Sequence, residues 1–158
     1  GIRVPFIARW PGVISEGKVD RDSVITAVDL LPTFLDAAGV DLPDGYNGDG
    51  LSVLSAFKGQ TLNRSKPIFW QWRGPKIQED TWPELGIRDG KWKMLINEES
   101  NELELYDIDS DWAEQKNVAK QNPEVVQKLN RKLDVWKKSL PEKPALEVCS
   151  PDRTKRRK

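Results

Sequence analysis

The chain has 158 residues, of which 37% are hydrophobic and 32% charged, with equal numbers of basic and acidic side chains. Seven Trp and four Phe supply enough large apolar surface for a modest core, which excludes disorder throughout. No apolar stretch is long enough to span a membrane. Five of the 25 basic residues lie in the last six positions, which predicts a solvated tail rather than the basic face of a nucleic-acid-binding protein.

Residue types that carry common catalytic chemistry are scarce. The chain has one cysteine, Cys149, and no histidine, so it can build neither an internal disulfide nor a Ser-His-Asp triad or a His-containing zinc site by itself. The first residue is Gly1 and the only methionine is Met94, which indicates a processed, engineered or partial product. The strand-like opening residues favour a cut through a larger fold.

The first sixty residues predict a strand, two helices and a turn-rich loop. Residues 4–9 read as a short strand. Residues 29–39 predict a helix that is capped by its first aspartate and closed by a left-handed glycine. Residues 41–50 read as a surface loop and residues 51–59 as a short helix. The apolar face of the first helix is expected to consist of Leu31, Phe34, Leu35 and Ala38.

The second half predicts a small antiparallel sheet. Residues 67–72 and 101–108 read as strands, and residues 84–96 as a hairpin around Asp89-Gly90, which is the strongest short hairpin signal. In the hairpin, Met94 and its alternate neighbours predict one buried face, with Lys93 on the opposite face.

One amphipathic helix is predicted to cover this sheet. Asn122 is expected to cap it and Pro123 to occupy its first position. The apolar stripe is expected to consist of Val125, Leu129, Leu133, Trp136 and Leu140.

Six blocks, in order and across residues 1–141, resemble the type I sulfatase family, of the arylsulfatase or N-acetylgalactosamine-6-sulfatase kind. GIRVPFIARWPGVI, VITAVDLLPTFLDAAGVDLP and DGLSVLSAFKG are similar to the middle-to-late part of these enzymes. IRDGKWKML, ELYDIDSDWAEQKNVA and the Trp136-bearing helix are similar to their small C-terminal subdomain. The resemblance implies an α/β, alkaline-phosphatase-like fold. Residues 1–64 would end the large α/β domain, residues 65–141 would form the small α+β subdomain, and residues 142–158 would be a disordered basic tail.

The resemblance also implies sulfate-ester hydrolysis on sulfated sugars or aryl sulfates. Formylglycine and calcium are expected in the full-length enzyme, and the segments that carry them belong to a missing N-terminal sulfatase domain. This chain is therefore expected to bind no metal, to hold no catalytic residue and to be inactive in isolation. Family habit suggests an exported, periplasmic or lysosomal enzyme. The alternative is a non-catalytic module that binds sulfated glycans or a partner protein.

The candidate substrate contacts lie at the end of the first strand of the sheet, just before a loop that in the family reaches toward the substrate pocket. Gln71, Trp72 and Arg73 would offer an aromatic surface for a sugar ring and a guanidinium for sulfate. The competing interpretation is that Trp70 or Trp72 fills the core, with one of the two facing inward and the other outward. Arg3 would support the anion site, although a charge that is paired behind a strand is the favoured interpretation.

Alternating acids at Asp107, Asp109 and Asp111 look at first like a calcium loop. The EF-hand pattern requires Gly and Glu where Trp112 and Val118 stand, so a calcium loop is not expected. The resemblance implies a turn here instead. Within that turn, the resemblance implies that Glu114 and Asn117 tie down the loop.

The last stretch contains Cys149, Pro151 and Arg153 in the spacing C-x-P-x-R. This is the pattern by which sulfatases mark the cysteine that becomes formylglycine. Only five residues follow Arg153, so no helix can begin there, and the pattern follows the last family block. Cys149 is therefore expected to have no catalytic role.

Overall fold

The structure is a computed structural model that describes residues 4–72 and 83–141. The described residues divide between two compact units. Those up to Ile68, together with Arg88–Trp92, form the first unit, and those of Phe69–Ile87 and from Lys93 onward form the second. Within these ranges, no helix is both long and apolar enough to cross a membrane.

The first unit contains two short helices. A 3₁₀ turn at Ala27–Asp29 leads into α1, Leu30–Ala38, and α2 follows at Leu54–Phe57. Gly39 ends α1 with a φ of 67°, the left-handed closing conformation that glycine adopts without strain. Both predicted helices are confirmed, although α2 is shorter than expected. The predicted capping of α1 by Asp29 is wrong, because the Asp29 side chain makes no capping hydrogen bond to the helix.

Residues 4–10 form no regular secondary structure, so the predicted strand over residues 4–9 is wrong. A strand needs a neighbour that takes up its N–H and C=O groups, and the described sheet consists of four other segments. Val4 and Ile7 are 73% and 91% exposed. Phe6, by contrast, makes a contact with the first unit: its ring stacks on that of Phe57, with the ring centroids 5.6 Å apart.

The helix α1 does not bury the apolar face that its sequence predicts. Leu31 and Phe34 are 53% and 62% exposed, whereas Thr33 is 1% exposed. The Thr33 hydroxyl donates to the carbonyl oxygen of Asp29 at 2.6 Å and accepts the N–H of Val53 at 3.0 Å. The described neighbours thus contact α1 on the side of Pro32 and Thr33, and the predicted apolar face stays exposed at Leu31 and Phe34.

A four-stranded antiparallel sheet, with its strands in chain order, confirms the predicted architecture of the second half. The two residues that connect the second and third strands are Gly90 and Lys91, one position later than predicted. Gly90 has a φ of 59° at the first central position, which is the pattern of a type II′ turn. The strands are β1, Ile68–Gln71; β2, Leu85–Asp89; β3, Trp92–Asn97; and β4, Glu102–Asp107.

The helix α3, Pro123–Ser139, packs on the sheet through the predicted stripe. Leu129 and Leu133 are 1% and 2% exposed. Trp136 stacks on Phe69 of β1, with ring centroids 4.9 Å apart and planes 9° from parallel. The sheet contributes further buried side chains, among them Leu85, Ile87, Met94 and Leu105, each at most 2% exposed.

The start of α3 differs from the prediction in one respect. Asn122 occupies the capping position, but its side chain makes no capping hydrogen bond. Its amide nitrogen instead donates to the carbonyl oxygen of Val118 at 2.9 Å, across the 3₁₀ turn Ala119–Gln121 that precedes the helix. The predicted side-chain cap is therefore wrong, whereas Pro123 lies in the first turn, where its missing N–H costs little.

Candidate functional site

The candidate substrate contacts lie at the end of β1. Gln71 is its last residue, and the N–H of Trp72 still donates to the carbonyl oxygen of Glu84 at 2.8 Å. The backbone at Trp72 is thus held by its neighbour, while the Trp72 side chain is 57% exposed. Arg73 and Arg3, the other two candidates, lie outside the described residues.

The aromatic side chains of β1 divide between the two faces of the sheet. Phe69 packs on α3 through its contact with Trp136. Because side chains alternate along a strand, Trp70 and Trp72 share the opposite face. Trp70 is half-buried there, close to Gly86, where a Cβ atom would lie 3.3 Å from its ring. The expectation that one of these two tryptophans faces inward and the other outward is wrong, since the inward-facing aromatic is Phe69.

The chemistry available at this point is binding rather than bond breaking. An exposed indole can stack on the apolar face of a sugar ring, and a neighbouring amide can hydrogen-bond to hydroxyl groups. Among residues 4–72 and 83–141, no group of three or more Asp, Glu, Cys or His side chains could hold a metal ion. The described side chains therefore do not fit a calcium site, and no catalytic step is assigned to a metal held by them.

The acidic stretch after β4 forms a turn, which confirms the interpretation of its sequence. The carbonyl oxygen of Asp107 accepts the N–H groups of Ser110 and Asp111. The Asp111 carboxylate accepts the N–H groups of Lys116 at 2.8 Å and Gln115 at 3.1 Å. These two backbone bonds, that from Lys116 first, hold the pKa of Asp111 below its usual value. The Asp111 carboxylate is used to shape a loop.

This loop is fixed to the sheet through an ion pair that the sequence did not predict. Lys93 of β3 is only 8% exposed, and its ammonium group pairs with the carboxylate of Glu114. Glu114 has a φ of 57°, which is uncommon for a residue with a side chain. The loop after β4 brings Glu114 to the face of β3 on which the alternation places Lys93.

Asn117 ties the same loop to the outer edge of β4, as the family resemblance implies. Its Oδ1 accepts the N–H of Leu105 and its Nδ2 donates to the carbonyl oxygen of Leu103, both at 3.1 Å. The N–H of Val118 donates to the carbonyl oxygen of Leu105 at 2.8 Å. The hydrogen-bonding groups on this stretch of the edge are thereby satisfied.

A buried ion pair in the first unit was also missed. Asp29 is fully buried, and its carboxylate accepts the N–H of Thr26 at 2.9 Å, the N–H of Leu51 at 3.0 Å and two bonds from the guanidinium of Arg64. The spacing Thr26-x-x-Asp29 before an apolar run fits a capping box, which was the available signal for part of this arrangement. The bonds to Leu51 and Arg64 have no local signal.

A groove of about 450 Å³ runs between α1 and the loop that follows it. Lys66 lies in this groove and donates from Nζ to the carbonyl oxygens of Gly48 at 2.8 Å and Gly50 at 3.1 Å. Asp36 accepts the hydroxyl of Ser52. These polar groups hold the segment of residues 48–52 in position, which is a structural role.

Comparison with known proteins identifies the family. Residues 1–139 match the family described as N-sulphoglucosamine sulphohydrolase, C-terminal. The chain therefore belongs to the sulfatase family and corresponds to the C-terminal part of its members.

Individual relatives agree with this family. The chain is 28% identical over 150 residues to a sulfatase of Formosa agariphila, a match that covers 86% of this chain and 27% of that protein. It is 34% identical over 119 residues to a delta 4,5-hexuronate-2-O-sulfatase of Bacteroides thetaiotaomicron, with coverage of 74% and 24%. The solved structure of BT4656 in complex with its substrate D-glucosamine-2-N,6-O-disulfate shares 26% identity and a TM-score of 0.52, covering 73% of this chain and 25% of that one. The chain spans about a quarter of the length of these relatives.

Proposed function

We propose that this chain is the C-terminal part of an enzyme that hydrolyses sulfate esters of carbohydrates. The match of residues 1–139 to a sulfatase C-terminal family carries the proposal. The choice of a sulfated sugar as substrate is supported by two relatives. One is a hexuronate-2-O-sulfatase, and the other is the structure of BT4656 with its disulfated glucosamine substrate.

In this proposal the bond-breaking groups belong to a preceding N-terminal domain. Formylglycine as the nucleophile and calcium as the cation would be supplied there, as the sulfatase family implies. Residues 1–64 would complete that large domain and residues 65–141 would form the smaller one beside it. The chain by itself would bind substrate weakly and hydrolyse nothing. The enzyme would act outside the cytoplasm, in an exported, periplasmic or lysosomal setting.

The contribution of this chain to substrate binding would come from the end of β1. Trp72 would present its indole to a sugar ring, with Gln71 beside it and Arg73 supplying positive charge for sulfate. The 57% exposure of Trp72 on a backbone that is held by Glu84 supports this role. Because the backbone of Trp72 is already held, binding a ring through its indole would cost little backbone entropy.

The deciding experiment compares this chain with the same chain joined to the polypeptide that its gene encodes ahead of Gly1. Sulfate release would be measured on p-nitrophenyl sulfate, N- and 6-O-sulfated glucosamine, and a 2-O-sulfated unsaturated hexuronate. The joined polypeptide should hydrolyse at least one of these, and the 158-residue chain should hydrolyse none. Turnover by the 158-residue chain would contradict the assignment of the bond-breaking groups to a preceding N-terminal domain. An inactive joined polypeptide, with glycan binding by the chain, would favour a non-catalytic module.

A variant then tests the role of Trp72. In the active joined polypeptide, Trp72→Ala should raise KM about tenfold, the equivalent of roughly 1.4 kcal/mol, with kcat nearly unchanged. Trp112→Ala is the matched control, because Trp112 is 71% exposed in a loop after β4. Equal effects of the two substitutions on KM would contradict the assignment.

A further inference from the structure

Charge is unevenly distributed along this chain. Residues 123–158 contain 11 basic and five acidic side chains, whereas residues 1–122 contain 14 basic and 20 acidic ones. Part of the positive excess lies on α3, where five basic residues accompany two acidic ones. The basic residues are Lys128, Arg131, Lys132, Lys137 and Lys138, and the acidic ones are Glu124 and Asp134. A surface with such an excess attracts polyanions.

Three of the basic side chains lie on the outer side of α3. Lys128, Arg131 and Lys138 are exposed and follow one another at intervals close to one and two helical turns. The buried stripe that packs on the sheet lies on the other side of the helix. Val135 lies between Arg131 and Lys138 in sequence and is 71% exposed. These four residues are called the α3 outer face below.

The cations of the α3 outer face are available to an external anion. Among the residues that the structure describes, these three side chains form no hydrogen bond or ion pair. Lys137 differs, because its ammonium group pairs with the carboxylate of Glu98. The exposed carboxylates of Glu124 and Asp134 lie at the end and along the edge of the α3 outer face, outside the row of cations. An anion can therefore bind there without breaking an internal bond.

We propose that the α3 outer face binds a sulfated polysaccharide chain. This inference rests on the proposed function, which supplies a ligand of that chemistry. From Lys128 to Lys138 the helix rises about 15 Å, so the three cations suit a row of sulfate groups better than one sulfated sugar. The guanidinium of Arg131 can donate two parallel hydrogen bonds to a sulfate group. The exposed Val135 offers a contact for the apolar face of a sugar ring.

This surface is separate from the candidate substrate contacts at the end of β1. Phe69 of β1 packs on the inner side of α3 through Trp136, whereas Trp72 lies on the opposite face of the sheet. The sheet and the thickness of the helix therefore stand between the α3 outer face and Trp72. A polysaccharide that is held on α3 keeps its other sulfated units at a raised local concentration around the enzyme, because a second point of attachment makes their binding intramolecular.

Binding by the 158-residue chain is measured with a fully sulfated heparin oligosaccharide. The variant Lys128→Gln/Arg131→Gln/Lys138→Gln should weaken this binding about tenfold and lower the slope of log K against log salt by about two. Its Tm should stay within about 3 °C of the wild-type value, because all three side chains are exposed. Hyaluronan of the same length, which carries carboxylates but no sulfate, should bind the wild-type chain about tenfold more weakly than heparin.

The matched control removes the same number of charges elsewhere. Lys18→Gln/Arg21→Gln/Lys58→Gln neutralises three exposed basic residues of the first unit and should leave heparin binding nearly unchanged. Equal weakening by the two triple variants would overturn the proposal. Full heparin affinity in the α3 variant would assign binding to the basic residues at 153–158 and overturn it as well. Double-stranded DNA that binds as tightly as heparin would show a general attraction for polyanions, with the same consequence.

Kinetics of the joined polypeptide separate this inference from the proposed function. The α3 variant should raise KM about fivefold for sulfate release from the heparin oligosaccharide, with kcat unchanged. KM for N- and 6-O-sulfated glucosamine should stay at its wild-type value, because a single sugar does not reach α3 while it occupies the candidate substrate contacts. An unchanged KM for the oligosaccharide in an active enzyme would overturn the inference and leave the proposed function intact. A joined polypeptide that releases no sulfate would contradict the proposed function, and heparin binding by the chain would still decide whether the α3 outer face holds a sulfated glycan.

Discussion

Arg64 and Asp29 form a two-point ion pair with almost no exposure to solvent. Nη1 of Arg64 lies 2.7 Å from Oδ2 of Asp29, and Nη2 lies 3.1 Å from Oδ1. The side chains are 10% and 0% exposed. Because the same carboxylate accepts the N–H groups of Thr26 and Leu51, it joins segments that are separated by up to 35 residues in sequence.

Removing the charge of Asp29 should destabilise the chain strongly. Asp29→Asn leaves the Arg64 guanidinium buried opposite a neutral group, which should lower the free energy of unfolding by about 3–5 kcal/mol. Chemical denaturation measures this loss. Asp44→Asn is the control, because Asp44 is exposed in the loop after α1, and a change within about 0.5 kcal/mol is expected.

The double variant Asp29→Asn/Arg64→Met, compared with the two single variants, tests whether the two side chains depend on each other. It removes the buried unpaired charge as well as the pair, so it should be more stable than Asp29→Asn. Strict additivity of the two single substitutions would show that the two side chains do not depend on each other.

Gly50 should not tolerate even one added carbon atom. A Cβ atom at this position would lie 1.9 Å from the carbonyl oxygen of Val28, which belongs to the backbone and cannot move aside. Gly50→Ala should therefore cost at least about 2 kcal/mol in the free energy of unfolding. Gly48→Ala is the comparison, because its Cβ would meet the Tyr46 hydroxyl at 2.2 Å, at the tip of a rotatable side chain. Equal losses for the two variants would contradict this account.

The stacking of Trp136 on Phe69 should contribute measurably to the stability of the second unit. Trp136 is half-buried, so Trp136→Ala should cost about 2–3 kcal/mol, less than the roughly 3–5 kcal/mol of a fully buried aromatic. The loss is read from the midpoint of urea unfolding. A double-mutant cycle with Phe69→Leu and Trp136→Leu should give a coupling of about 1 kcal/mol. Val135→Ala serves as the neighbouring exposed control, and zero coupling would exclude a stabilising ring contact.

Tyr106 should make the protein less stable at alkaline pH. Burial of the phenol, together with its hydrogen bond to Glu104 and the nearby carboxylates, raises the pKa of Tyr106 above its usual value. The unfolded chain therefore releases this proton at a pH where the folded chain still keeps it. The free energy of unfolding should fall by about 1.4 kcal/mol per pH unit above a pH of roughly 10.

The tyrosine contribution can be isolated because the chain has only two tyrosines. Tyr106→Phe should flatten the decline in stability above a pH of roughly 10, whereas Tyr46→Phe should leave it unchanged. Denaturant midpoints are measured across the alkaline range for both variants. An identical slope in the two variants would assign the alkaline loss to other groups.

Sequence patterns predicted those parts of the fold that depend on local spacing. The glycine beside Asp89 predicted the hairpin, and the intervals between Leu129, Leu133 and Trp136 predicted the buried side of α3. In α3 the side chains that carry the signal also make the contact, and in the hairpin Gly90 adopts the positive φ that the turn requires. The family resemblance was likewise confirmed along residues 1–139.

The parts that could not be predicted depend on residues far apart in sequence. The stripe that includes Leu31 and Phe34 does indicate an amphipathic helix, but periodicity does not say which molecule covers it. The partner of Lys93 is Glu114, which lies 21 positions later in the sequence, so no local pattern predicts the ion pair. Of the residues predicted for the candidate site, only some are described by the structure. Trp72 can be assessed, whereas Arg73 and Arg3 lie outside the described residues and their roles stay predictions.

The bonds between Asn117 and β4 have a consequence for how molecules of this protein meet. An exposed strand edge is a template on which another chain can add a strand, and natural sheets protect such edges. Asn117 and Val118 already occupy backbone groups of Leu103 and Leu105 on the outer side of β4. A second molecule could pair there only after displacing this loop. The Asn117 side chain thus protects this edge of the sheet from intermolecular strand pairing, although Asn117 belongs neither to the hydrophobic core nor to the candidate substrate contacts.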